Sequence, residues 1–234
     1  MITVKLANLS IGIDNKYGLI EKLAKDYITD EPPVFTVSVT DADIEREAAM
    51  SEDEHTPGYL ESITLYRKIA ERLPEYDAVV FHGAVLSYRG KAYAFTARSG
   101  VGKTTHTRLW ISTLGDDIHY LNGDKPIIRM IDGTPYAFGT PWKGKEGYGV
   151  NESAPLSSIA LLERGERNSA TVVEARDGAL GLMSQIYIPS TPRAAALTMR
   201  VADRIAKSVR FVKLKCNMDP EAAIVASEAM IENN

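Results

Sequence analysis

The chain has 234 residues, of which 44% are hydrophobic and 25% are charged, and its net charge is −4. This length and composition are typical of a soluble globular domain that buries its own core. The negative charge and the lack of a long basic run argue against a nucleic acid as the main partner. The single cysteine excludes an internal disulfide.

Hydropathy along the chain predicts where the protein resides. No stretch approaches roughly 18 uninterrupted apolar residues, so we expect no membrane-spanning helix and no membrane partner. The N-terminal residues lack a basic segment followed by an apolar one, so no signal peptide is expected and the predicted location is the cytoplasm. The sequence leaves the oligomeric state open, a homo-oligomer included.

The first part of the chain, roughly residues 1–76, predicts an α/β lobe. Residues 2–13 are rich in β-branched and aliphatic side chains, as in one or two strands, and residues 34–39 alternate as another strand. Apolar residues at helical spacing predict helices over residues 17–27 and 60–73. Thr40 and Asp41 offer caps for a short acidic helix between them.

From residue 77 onward the predicted strands are short and follow one another closely in the sequence. Three short apolar runs, with a hairpin turn at Arg89-Gly90 between the second and third, precede a glycine-rich turn and a helix over residues 104–112. The density of strands predicts an α/β fold with a mixed, twisted sheet and this helix packed on it. We expect a single domain over residues 1–234, with its core over roughly residues 77–234. Further strands are predicted over residues 118–121, 126–131, 136–138, 158–162 and 209–213, and further helices over residues 176–183, 198–206 and 220–231.

Residues 97–104, Ala-Arg-Ser-Gly-Val-Gly-Lys-Thr, form a phosphate-binding P-loop motif between a predicted strand and a predicted helix. The two glycines let successive backbone N–H groups converge on phosphate oxygens, and the helix adds its positive N-terminal end. The lysine supplies a charge for the β- and γ-phosphates, and the threonine hydroxyl can bind Mg²⁺. The predicted cofactors are ATP and Mg²⁺, with the base preference left open. The predicted nucleotide-binding residues are Ser99, Gly100, Val101, Gly102, Lys103, Thr104 and Thr105.

Two residues outside the P-loop are candidates for chemistry. Asp124 follows an apolar run and could hold Mg²⁺ together with Thr104, or accept a proton from an attacking hydroxyl, although it could equally be a turn residue of an Asn-Gly-Asp hairpin. His82 follows a strand, but an isolated histidine is more often structural than catalytic. The candidate catalytic residues are therefore Asp124, His82 and Lys103.

Two further segments carry weaker signals. Residues 139–149 are rich in glycine and contain two lysines, as in a loop that closes over phosphates, although an ordinary hairpin has the same composition. Arg193 is predicted to be a loop cation, either solvated or facing an anionic substrate.

These residues resemble a known family, the HPr kinase/phosphorylase and phosphoenolpyruvate carboxykinase group of P-loop proteins. The resemblance covers roughly residues 77–192, and its later part is similar to HPr-kinase-related proteins of uncertain substrate. It rests on His82-Gly83, residues 90–95, residues 99–106, Gly123-Asp124, residues 139–142, 155–156 and 159–164, and Asn168.

The resemblance implies a nucleotide-binding core of that group, with Lys103 and Thr104 as phosphate and Mg²⁺ ligands. It implies that Asp124 is the first acid of the family's carboxylate pair and that His82 is its active-site histidine. Lys125 departs from the family pattern, since it stands where the second acid usually lies. A cation there removes a metal ligand and adds a charge that can neutralise phosphate.

Four functions are compatible with these features. The leading hypothesis is a kinase that transfers the γ-phosphoryl group of ATP to a serine-type hydroxyl on a small molecule, peptide or protein. The alternatives are a nucleotide-dependent switch or slow NTPase, a carboxykinase-like lyase, and a kinase-derived scaffold without activity. The sequence does not name the acceptor.

Overall fold

The computed structural model describes residues 1–51, 53–98 and 100–231. Within these residues the chain folds into a mixed α/β structure with one three-stranded sheet and one nine-stranded sheet. No helix in this part of the chain combines the length and the apolar character needed to cross a membrane.

The three-stranded sheet is formed by the N-terminal residues, as predicted. Strands β1 and β2 pair antiparallel, and β3 joins β2 in parallel. Thr40 and Asp43 form a reciprocal capping box that begins helix α2, which confirms the predicted cap. The elements are β1 (Ile2–Leu6), β2 (Leu9–Asp14), α1 (Leu19–Leu23), β3 (Phe35–Ser38), α2 (Asp41–Ala49) and α3 (Pro57–Arg72), with 3₁₀ turns at Lys25–Tyr27 and Leu73–Tyr76.

The nine-stranded sheet is formed by the remaining strands, in the order β4-β8-β9-β10-β6-β5-β7, with β12 beside β10 and β11 beside β12. The predicted hairpin at Arg89-Gly90 is confirmed, since both residues have positive φ and join antiparallel strands. The strands are β4 (Ala78–Val80), β5 (Ala84–Tyr88), β6 (Lys91–Thr96), β7 (Ile118–Asn122), β8 (Ile127–Ile131), β9 (Thr134–Phe138), β10 (Ser153–Arg164), β11 (Ser169–Val173) and β12 (Arg210–Cys216). The helices are α4 (Lys103–Leu114), α5 (Ala175–Met183), α6 (Pro192–Ser208) and α7 (Glu221–Met230).

Strand β10 makes the sheet mixed. Its first residues pair antiparallel with β9, and its later residues pair in parallel with β6 on one side and β12 on the other. The carboxyl ends of β6 and β10 therefore lie side by side at one edge of the sheet. Since the P-loop follows β6, the end of β10 is brought next to it.

Two expectations about the C-terminal half were wrong. Arg193 is not in a loop: helix α6 begins at Pro192, which suits a first helical position, and Thr191 caps it by accepting a hydrogen bond from the Ala194 N–H. Strand β10 begins five residues earlier than predicted, because Pro155 and its polar neighbours hide a segment that pairs with β9. Strand β11 was not predicted, and its mostly exposed residues lack an apolar pattern.

The N-terminal lobe shares a hydrophobic core with the large sheet. Trp142, from the segment after β9, stacks on Tyr66 of α3 with ring centroids 3.9 Å apart. The Trp142 indole N–H also donates to the Ser62 hydroxyl and carbonyl, at 3.0 and 3.1 Å. Helix α3 is thereby held over the edge of the sheet where β6 ends and the P-loop begins.

His106 in helix α4 makes the fold sensitive to acid. It is 2% exposed, it packs against Phe95, and neither ring nitrogen has a hydrogen-bond partner within the described residues. Burial lowers the pKa of His106 to about 4, whereas an unfolded histidine titrates near about 6.5. Between these values the unfolded chain binds a proton that the folded chain does not.

The free energy of unfolding should therefore fall as the pH drops from about 6.5 to about 4, by at most about 3 kcal/mol from this residue. His106→Leu should remove that part of the pH dependence, as measured by urea unfolding at pH 7.5 and pH 5. His119→Gln is the matched control, because His119 is exposed and bound to Glu152. Equal pH dependence in wild type and His106→Leu would contradict this assignment.

Candidate functional site

The segment that carries the P-loop motif, called the P-loop below, lies between strand β6 and helix α4, in agreement with the strand and helix predicted on either side of it. Gly102 is the N-cap of the helix. Its φ is 119°, a left-handed backbone conformation that residues other than glycine rarely adopt. Lys103 begins the helix, and its ammonium group donates to the Ala97 carbonyl at 3.4 Å. Ser99 lies outside the described residues. The lysine side chain thus folds back over the loop.

Arg164, at the end of β10, holds the P-loop from the side. Its guanidinium donates to the Gly100 carbonyl at 2.5 Å and to the Val101 carbonyl at 3.3 Å. These bonds turn the carbonyls of both residues towards Arg164. Sequence reasoning did not single out Arg164, since only the parallel pairing of β6 with β10 brings it there.

A cavity of about 740 Å³ adjoins the P-loop and collects most of the predicted site. His82, Lys103, Thr104 and Asp124 all line it. Its other residues come from the N-terminal lobe, from β5, α4, β7 and the turn after β7, and from the glycine-rich loop, namely Leu19, Leu23, Tyr59, Ser62, Ile63, Ala84, Thr107, Tyr120, Gly123, Lys125 and residues 141–148.

The remaining predicted nucleotide-binding residues are placed differently. Gly100 and Thr105 are exposed to solvent. Val101 lines a neighbouring cavity of about 540 Å³ together with Ala97, Arg98 and Arg164. The P-loop therefore borders two cavities, and only the larger one contains Asp124 and His82.

Asp124 and His82 form a pair at the wall of the larger cavity. His82 Nε2 lies 3.5 Å from Asp124 Oδ1. Burial disfavours the ionised Asp124 carboxyl, but the His82 hydrogen bond and the nearby Lys125 and Lys103 charges outweigh burial, so the pKa of Asp124 is lowered. Asp124 is therefore a carboxylate at neutral pH, suited to accept hydrogen bonds or bind a cation.

Lys103 faces the same carboxylate from the P-loop. Burial lowers the pKa of the Lys103 ammonium group, and the charge of Asp124 opposes that shift. The two residues thus interact electrostatically within the same cavity.

The turn that carries Asp124 is held by Asn122, which is fully buried. The Asn122 side-chain oxygen accepts hydrogen bonds from the backbone N–H groups of Asp124 and Lys125, at 2.8 and 2.7 Å. Its NH₂ group donates to the Thr140 hydroxyl at 3.0 Å. The turn is not a hairpin, because β7 pairs with β5 while β8 pairs with β4 and β9.

The glycine-rich loop, residues 139–149, closes over this turn. A Cβ atom at Gly144, whose φ is 74°, would lie 2.9 Å from the Cβ of Asp124, so only glycine lets the loop approach so closely. Arg108 of α4 holds the far side of the loop by donating to Glu146 at 2.8 Å and to the Tyr148 hydroxyl at 2.9 Å. The loop is therefore fixed to helix α4 by hydrogen bonds and packs closely against Asp124.

The oxygen groups in this cavity fit a magnesium ion that is bound with a nucleotide. Mg²⁺ prefers oxygen ligands and usually combines one or two protein groups with phosphates and water. The Thr104 hydroxyl and the Asp124 carboxylate line the same cavity. Among the described residues no three His, Cys, Asp or Glu side chains cluster as a metal site, so phosphate and water would complete the coordination.

A scan against protein-family models finds no match, and a search of curated proteins finds none either. A search of solved structures finds similarity to the Hpr(Ser) kinase/phosphatase from Coxiella burnetii, with 8% identity and a TM-score of 0.35. The match covers 64% of this chain and 94% of that chain. Similarity at this level assigns no function, so the chemistry of the cavity has to be argued from its own residues.

Asn122→Ala tests whether the Asn122 carboxamide organises the site. The change leaves the buried N–H groups of Asp124 and Lys125 without their partner, so we expect a loss of about 2–4 kcal/mol in the free energy of unfolding. Asn151→Ala is the control, since the exposed Asn151 uses its amide group to donate to the Asp26 carbonyl at 2.6 Å. Urea unfolding of both variants measures the difference, and equal stabilities would show that Asn122 has no such role.

Proposed function

We propose that the protein is an ATP- and Mg²⁺-dependent kinase of the HPr-kinase and carboxykinase type, which transfers the γ-phosphoryl group to a hydroxyl acceptor. The proposal is supported above all by one observation: the P-loop residues Lys103 and Thr104 share a cavity with Asp124 and His82. A nucleotide-binding loop alone is common to many ATPases. A carboxylate and a histidine beside the proposed γ-phosphate position can orient an acceptor hydroxyl and take up its proton.

The charge of the cavity agrees with this proposal. Four lysines line it (Lys103, Lys125, Lys143 and Lys145) against two acids, Asp124 and Glu146, although the chain as a whole has a net charge of −4. Phosphoryl transfer is accelerated mainly by positioning and by neutralising charge on the phosphoryl oxygens. A concentration of lysines beside the P-loop supplies that neutralisation.

In the proposed reaction the acceptor oxygen forms a bond to the γ-phosphorus while the bond to the β,γ-bridging oxygen breaks. ADP leaves with the electron pair of that bond. Because its pKa is lowered, the Asp124 carboxylate is a weak base, and its role is to orient the hydroxyl and to receive the proton late in the reaction. His82 in turn orients the Asp124 carboxylate.

The arginine content of the cavity disfavours the lyase alternative. A carboxykinase-like enzyme would need several arginines to hold a dicarboxylate, whereas none of the described residues that line the 740 Å³ cavity is an arginine. A switch or slow NTPase remains the competing proposal, and it differs from a kinase in forming no phosphorylated acceptor.

Two substitutions separate nucleotide binding from transfer. Lys103→Met should weaken ATP–Mg²⁺ binding about tenfold or more, because a charged group that contacts phosphate is lost. Asp124→Asn should retain nucleotide binding within a few-fold but reduce acceptor phosphorylation by about 10² or more. Calorimetry measures the first effect, and transfer of ³²P from ATP measures the second.

Lys207→Met and Asp203→Asn are matched controls, since these residues form an exposed ion pair with each other on α6. Both should behave as wild type in binding and transfer. Unchanged phosphorylation in Asp124→Asn would falsify the assigned role of Asp124. Hydrolysis of ATP without any phosphorylated acceptor would favour the switch or slow NTPase.

A further inference from the structure

A third cavity, smaller than the two that border the P-loop and called the small cavity below, opens beside the proposed transfer site. Its volume is about 330 Å³, at the lower end of the range of small-molecule sites. Ile63, His82 and Lys125 line both this cavity and the 740 Å³ cavity, so the two meet beside the residues from which the acceptor hydroxyl would attack the γ-phosphorus in the proposed reaction. The other walls are formed by helix α3, by the end of strand β4 and by the segment after α5, namely Tyr66, Arg67, Ala70, Val80 and residues 184–187.

The charged residues that line the small cavity are all basic. Lys125 and Arg67 line it, and none of its described residues is acidic. The Arg67 guanidinium is already bound to both oxygens of Glu47, at 3.1 and 2.7 Å. Lys125 Nζ is 4.0 Å from Asp124 Oδ2, which is longer than a hydrogen bond. Lys125 therefore has donors available for a ligand.

The backbone of Lys125 is fixed in place. Its carbonyl accepts hydrogen bonds from the Tyr66 hydroxyl at 2.7 Å and from the Thr140 hydroxyl at 2.9 Å. Asn122 holds its N–H group. A cation on a rigid backbone at the junction of two cavities is suited to select a ligand rather than to provide a diffuse charge.

We propose that the small cavity binds the phosphoryl acceptor, and that the acceptor is a small hydroxy acid whose carboxylate is held by Lys125. The inference rests on the proposed kinase function and adds the class of its substrate. The apolar walls, Ile63, Ala70, Val80 and Ile186, hold a short carbon chain. The hydroxyl of that chain then faces Asp124 and His82.

The lysine also explains why the site can dispense with a second acid. A carboxylate acceptor and a triphosphate repel each other, and a cation between them lowers this repulsion. During transfer the acceptor oxygen bonds to the γ-phosphorus, its proton goes to Asp124 and then to solvent, and ADP leaves. Lys125 contacts the carboxylate throughout and takes no part in the exchange of bonds.

Matched acids and amides test the inference. The probes are 3-hydroxypropionate, L-serine and N-acetyl-L-serine, each assayed beside its amide, and a serine-containing peptide with blocked ends. Wild type should phosphorylate at least one acid with kcat/KM about tenfold or more above that of its amide, because a charged hydrogen bond is lost in the amide.

Lys125→Met should lower kcat/KM for that acid at least about tenfold more than kcat/KM for its amide, mainly through KM, because the amide loses only the contribution of Lys125 to neutralising phosphoryl charge. Lys125→Arg should recover part of the loss, and Lys207→Met is the neutral control. An effect that Lys125 exerts only through Asp124 would lower the values for acid and amide equally, and that result would overturn the inference.

The remaining outcomes separate the two proposals. If only the blocked peptide is phosphorylated, and Asp124→Asn abolishes that phosphorylation, the proposal of a hydroxy-acid acceptor is overturned and the kinase function still stands. No product from any acid, amide or peptide would overturn both.

Discussion

The carboxamide of Asn122 is the contact on which the candidate site depends. Its oxygen holds the two N–H groups of the turn that presents Asp124 and Lys125, and its NH₂ group holds Thr140 at the base of the glycine-rich loop. Without the Asn122 carboxamide, the part-buried N–H groups of Asp124 and Lys125 would lose this partner, whereas the Thr140 hydroxyl would keep its bond to the Lys125 carbonyl. One side chain thus joins the acid, the cation and the loop of the site.

The two ends of the site are built in different ways. The end proposed to bind phosphate is mostly local: a strand, a turn with glycines and a helix that starts with Lys103 are neighbours in sequence, and only Arg164 reaches this end from a distant segment. The acceptor end combines distant segments, since α3, the turn after β7 and the segment after α5 all border the small cavity. The Trp142 contacts with Tyr66 and Ser62 hold these segments together.

This difference explains how much the sequence could predict. The strand and helix on either side of the P-loop motif, the cap at Thr40 and the mixed sheet were predicted correctly, because each depends on residues close in sequence or on a strand pattern. Arg164 was missed because it bonds to Gly100, which is 64 residues away. The stabilising role of Asn122 was equally hidden, since an Asn-Gly-Asp sequence is typical of a hairpin turn. The small cavity depends wholly on contacts between the lobe and the sheet.

The central claim is that the P-loop and Asp124 serve one bound triphosphate. A crystal structure with a non-hydrolysable ATP analogue and Mg²⁺ tests it most directly. The account predicts a γ-phosphate between Lys103 and Asp124, with Mg²⁺ at about 2.1 Å from the Thr104 hydroxyl oxygen. A triphosphate directed into the neighbouring cavity of Arg98 and Arg164, with its γ-phosphate away from Asp124, would contradict it.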